Sequence, residues 1–82
     1  MERLWQEVTV RISWLVGKAD AAAICGVDRV GDGRRFWLAR DVGKHKRLCA
    51  DVLVGAHPKG TLREIAHGIY GLLSDKLAKM AG

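Results

Sequence analysis

The side chains best suited to chemistry in this chain are arginines and lysines set around one tryptophan. Arg34, Arg35, Arg40, Lys44, Lys46 and Arg47 cluster about Trp37. Guanidinium and ammonium groups neutralise phosphates, and an indole face stacks on an unpaired base. With Arg29, the stretch 29–47 holds seven basic residues against Asp32 and Asp41, a net +5. The whole chain has 14 basic and 9 acidic residues, also +5, so everything outside that stretch sums to zero. The pattern is that of a neutral domain carrying one basic segment, which attracts phosphate or an acidic protein surface.

A second set stands at His57, Lys59 and Thr61, in Gly55-Ala56-His57-Pro58-Lys59-Gly60-Thr61. Two glycines bracket this turn as in a P-loop, but Thr61 occupies the place of the P-loop lysine, which argues against an NTPase. What is left is a phosphate held by free helix amides beside Lys59 and His57, against the plainer alternative of a turn and an N-cap. His45, His57, Cys25 and Cys49 lack zinc-finger spacing and form no Cys-x-x-Cys, so neither a metal nor another cofactor is expected. Ser13 and Ser74 have no glycine elbow, and no acidic pair suggests acid–base catalysis. The two cysteines read as buried thiols of a reducing compartment, with a bond between neighbouring strands left open.

The elements that would position these groups follow from periodicity. Thr61-Leu62-Arg63-Glu64 is a capping box. Behind it Leu62, Ile65, Ala66, Ile69, Tyr70, Leu72, Leu73, Leu77 and Met80 recur at helical spacing, predicting a helix over about 61–80. Lys76 falls within that apolar face, where its ammonium would snorkel outward. Gly68 and Gly71 lie on the opposite arc; they are either tolerated surface glycines or mark close approach by a partner, which would permit oligomers through that face. Upstream, Val8, Val10, Ile12 and Trp14 alternate with Thr9, Arg11 and Ser13, the signature of a half-buried strand over 7–16. A helical reading through Leu4, Val8, Ile12 and Leu15 exists, and the β-branched content argues against it. Further strands are expected at 24–30, with a bulge at Gly26, at 34–42 after the Gly31-Asp32-Gly33 turn, and at 47–54 after Gly43-Lys44-His45.

The expected fold is α+β: a four-stranded antiparallel meander with one C-terminal amphipathic helix on one face, two layers in a single domain over 1–82. The helix would cover Val8, Val10, Ile12, Phe36, Leu38, Val52 and Val54, leaving Arg11, Arg35, Trp37 and Arg47 on the open face. No apolar run is long enough to span a bilayer, and Met1-Glu2-Arg3 opens no signal core, so a cytoplasmic protein without membrane contact is expected.

Two family resemblances bear on function. Gly26-Val27, Asp32-Gly33-Arg34 with Trp37 and Ala39, and Lys46-Arg47-Leu48 resemble the three-stranded DNA-binding domains of integrase arms and plant ethylene-response factors, over about a quarter of the chain. That likeness implies a sheet entering the major groove; the family's aromatic after the third strand and its alanine-rich helix have no match. Lys59-Gly60-Thr61-Leu62-Arg63 resembles the final helix of HicA toxins, which implies a small RNase; their Gly-Ser-His motif and leading helix find no match. The expected function is therefore non-enzymatic nucleic-acid binding through Arg11, Arg34, Arg35, Trp37, Arg40, Lys44, Lys46 and Arg47, to DNA or RNA. The alternatives are a stand-alone interaction module or inhibitor of phage or mobile-element type that blocks an acidic or nucleic-acid-binding protein surface, and an RNase-like toxin.

Overall fold

In a computed structural model that describes residues 2–81, the chain runs α1 (Glu2–Ala19), β1 (Ala23–Val30), β2 (Gly33–Gly43), β3 (Lys46–Val54) and α2 (Leu62–Ala81). The sheet is antiparallel in the order β1-β2-β3. This corrects the four-stranded meander with one helix: the segment 7–16 lies inside α1, so the described residues form three strands and two helices. A helix thus precedes the strands, where the sequence reading found none.

The reason is the length over which each periodicity holds. Alternation fits only Val8 to Trp14, whereas helical spacing joins Trp5, Val8, Ile12 and Val16, all buried, with Leu4 packed beside them. A pattern sustained over three turns favours the helix. The β-branched Val8, Thr9, Val10, Ile12 and Val16 each cost up to about 0.7 kcal/mol in a helix. Burying the four core side chains is worth roughly 1.5–3 kcal/mol apiece, so burial wins.

Both helices lie on the same sheet face. α1 packs over β1 and against α2, and α2 covers β3 and reaches β2. The core joins Trp5, Val8, Ile12 and Val16 to Phe36, Leu38 and Ala50 from the sheet and Ile65, Ala66, Ile69, Leu73 and Leu77 from α2. Val10, expected in the core, is 68% exposed. Val52 is half-buried at its margin.

The strand connections follow the turn chemistry. Val30 pairs with Gly33 across Gly31-Asp32. Gly31 has φ 59° and Asp32 is not positive, the signs of a type II′ turn. The register runs unbroken past Gly26, so no bulge stands there. It shifts instead between Asp41 and Gly43, which leaves Val42 exposed rather than aligned with Phe36 and Leu38.

The capping box forms as read. The Thr61 amide donates to Glu64 Oε1 at 3.0 Å and the Glu64 amide donates to Thr61 Oγ1 at 3.1 Å. Gly60, with φ 114°, lets the chain turn into the helix. Lys76 does snorkel, donating to the Asp51 carbonyl oxygen at 2.6 Å.

Ile69→Ala is expected to cost about 2–5 kcal/mol as a core truncation, and Thr61→Ala about 1 kcal/mol through the lost cap. Urea unfolding followed by circular dichroism measures both.

Candidate interaction surface

The basic segment folds back onto carboxylates, most of them from outside it. Arg34 Nη2 lies 2.9 Å from Glu2 Oε2, and its Nη1 donates to the Gly33 carbonyl at 2.8 Å. The Arg34 side chain is buried in the helix–sheet layer, its guanidinium carbon 5.4 Å from the centre of the Trp5 ring. Arg29 shares Glu2 at 3.6 Å. Arg40 Nε stands 2.6 Å from Asp20 Oδ2, a charge contact too misaligned to count as a hydrogen bond. Arg35 bridges Asp28 at 2.7 Å and Asp51 at 2.8 Å. Arg47 holds Asp41 at 2.9 Å. All five arginines of the segment have acidic partners. Its two lysines, Lys44 and Lys46, stand exposed at the β2–β3 turn without one among the described residues.

The open sheet face therefore differs from the expected basic surface. Arg11 is absent from it, because its segment is helical, and the residue sits half-buried on α1. Arg34 and Arg40 point to the helix side with Phe36 and Leu38. The open face carries Arg35 and Arg47 against Asp28, Asp41 and Asp51, an excess of negative charge. The hydrogen bond from Arg35 holds the Asp51 carboxyl below its ordinary value, and the bond with Asp51 in turn raises the Arg35 guanidinium. Asp41 raises Arg47 in the same way. Trp37 is half-buried, since its ring lies across Gly26 on the paired strand; a Cβ there would collide with indole Cζ2. Gly26 is thus the floor under the ring, which leaves less of the indole free for a base.

At the start of α2 the capping box engages the amides of Thr61 and Glu64. The Glu64 carboxylate already accepts from the Thr61 amide, and that bond holds its pKa below the ordinary glutamate value. His57 and Lys59 are exposed alongside. Gly68 and Gly71 face open space: a Cβ on either would meet nothing within 4 Å. Cys25 and Cys49 are free thiols. They lie on β1 and β3, which are not neighbours, and on opposite faces, so no bond can join them. Cys49 is exposed rather than buried, and Cys25 Sγ stands 3.5 Å from Ser13 Oγ. Among the described residues no cluster of three His, Cys, Asp or Glu could hold a metal. No helix is long and apolar enough to cross a membrane.

What the strand reading missed is a patch on α1. Val10 and Trp14 each stand two residues from a core position, a rotation of about 200° on a helix. They are 68% and 60% exposed, one turn apart on the solvent side. A shallow, mostly apolar groove runs past them, bordered by Gln6, Glu7, Arg11 and Leu62. Lys18 lays its ammonium 4.7 Å from the centre of the Trp14 ring. The signal was present: once Trp5 and Val16 are counted with Val8 and Ile12, Val10 and Trp14 must fall outside.

No protein-family model matches the chain, and neither curated proteins nor solved structures include a match to it.

Two outcomes test this geometry. Gly26→Val should destabilise the domain by about 1–3 kcal/mol by forcing Trp37 off its seat, measured by urea unfolding. Because Asp51 is more acidic when folded, its contribution is full above aspartate's ordinary 3.8 and is lost as the pH falls below it. The acid-side fall in the urea midpoint should flatten in Asp51→Asn.

Proposed function

We propose that this domain is a non-enzymatic protein-interaction module that docks through the solvent face of α1. The observation that carries the reading is the exposure of Val10 and Trp14, at 68% and 60%, on the face turned away from the core. Exposed tryptophan beside an aliphatic residue is the composition of a binding anchor, since an indole buries a large area at small entropic cost. Arg11 and the ammonium of Lys18 border the patch, and its one carboxylate, Glu7, is paired with Arg3, so an apolar partner surface with an acidic rim complements it. The arginines that suggested phosphate binding are engaged within the fold, which removes most of the support for an open-sheet nucleic-acid surface.

Val10→Asp and Trp14→Ala should each abolish capture of a protein partner from the native host's lysate while leaving the free energy of unfolding within about 0.5 kcal/mol of wild type. Capture should survive nuclease treatment and be unaffected by Lys44→Ala or Lys46→Ala. Loss on nuclease treatment, or dependence on the lysines alone, would refute the reading.

A second reading keeps nucleic acid as the ligand, favoured by Lys44, His45 and Lys46 standing exposed together at the β2–β3 turn. With these two lysines as the phosphate contacts, the log–log salt slope on duplex DNA should be about −2. Arg35→Ala and Arg47→Ala should leave that slope unchanged. Titration of labelled oligonucleotides at several salt concentrations decides it.

A further inference from the structure

We propose that the free edge of β1 is a second binding site, which takes an extended apolar segment of a protein partner as a fourth strand. The proposal rests on the backbone edge of β1 and not on Trp14, although Val10 borders both grooves. A three-stranded sheet has two edges, and they differ. The β3 edge is obstructed: Lys76 from α2 donates to the Asp51 carbonyl, and Lys46 and Arg47 add charge at its start. Charge and covering side chains are how exposed edges are kept from pairing. The β1 edge also carries charge, at Asp28 and Arg29, but both are paired within the fold, and it has no lysine, no proline and no bulge. Among the described residues the bond from the Ala23 amide to the Asp20 carbonyl is the sole backbone bond to β1 from outside the sheet.

Register says which groups are free. A two-residue hairpin closes on a hydrogen-bonded pair, here Val30 and Gly33. Alternation along the antiparallel ladder then turns the amides and carbonyls of Arg29, Val27 and Cys25 outward. A row of unpaired donors and acceptors at strand spacing recognises an extended backbone and no other conformation. The side chains flanking the row are suited to a fourth strand. On the open face Ile24 and Val30 are 53% and 49% exposed. On the helix side a groove between α1 and β1 is lined by Gln6, Thr9, Val10 and Val27.

Sterics select the occupant. α1 lies over β1, so a second copy pairing edge to edge would bring its own α1 about one strand spacing, ~4.8 Å, from the first. Packed helices need about 8–10 Å between axes. Two copies of a +5 chain also repel. An extended segment without a helix above it meets neither obstacle. Its chemistry follows from the row it faces: apolar residues against Ile24 and Val30, and a basic residue beside Asp28, because the open face has three aspartates to two arginines.

The test is selection of a random peptide library of about twelve residues on the immobilised domain, with the best enriched peptide carried forward. Its sequence should alternate apolar residues. Its affinity should fall at least about tenfold against Arg29→Pro, which removes one outward donor at an edge position where proline is tolerated. It should fall equally when the peptide is N-methylated at alternate residues and offered to wild-type protein, a control that needs no variant to fold. Trp14→Ala should leave it unchanged. Failure to enrich any peptide, or binding indifferent to both Arg29→Pro and N-methylation, would overturn the proposal. Peptides lost with Trp14→Ala but not with Arg29→Pro would overturn it in favour of the α1 site, and a dimer abolished by Arg29→Pro would overturn the choice of occupant.

Discussion

The contact on which the rest of the molecule depends is the seat of α1 over β1 and against α2. Strands lie about 4.8 Å apart, so three of them make a platform about as wide as two packed helices. α2 takes the β3 side. Without α1, the β1 side chains Cys25 and Val27 and the flank of Phe36 would face water. Trp5 closes that flank, its ring centre 6.0 Å from that of Phe36, and it holds the guanidinium of Arg34 on another side. Removing the stripe Trp5–Val8–Ile12–Val16 would thus open the sheet and strand a buried charge together.

Arg34 is also where electrostatics and packing meet. A guanidinium buried against an indole is tolerable because Glu2 and the Gly33 carbonyl accept hydrogen bonds from it. Since Glu2 belongs to the first turn of α1, the pair ties the N-terminal end of the helix to β2, and Asp20–Arg40 ties the other end. The basic segment thus works as a set of fasteners. Its arginines meet carboxylates from α1, from the turn after it, and from all three strands. What the segment shows to a partner is consequently less basic than its own +5, and the charge left unpaired among the described residues is lysine-rich and scattered.

The same seat produces the unused surfaces. Turning α1 so that Val8 and Ile12 face inward must turn Val10 and Trp14 outward, and placing the helix directly over β1 leaves the outer edge of that strand uncovered. Both features cost solubility in a monomer, a cost that covering by a partner would remove. Val10 borders both the α1 groove and the one beside β1, so the two grooves are separated by little more than the ridge of that helix.

Local chemistry determined much of this protein from sequence alone. The Thr61–Glu64 box, the Gly31 turn, the alternation in β2 and β3 and the long stripe of α2 specify themselves, because each is a short-range pattern satisfied by near neighbours. Three things needed the tertiary structure. The segment 7–16 carries apolar residues at both two-residue and helical spacing, and only the surface offered by α2 and β1 selects the helix. The charge of 29–47 is a local sum, whereas Glu2, Asp20, Asp28 and Asp51 cancel it through contacts distant in sequence. Finally, whether an apolar residue such as Val10 or Trp14 is core or surface is a property of the face it lands on. That face is set by which element forms, and the element is decided by long-range burial.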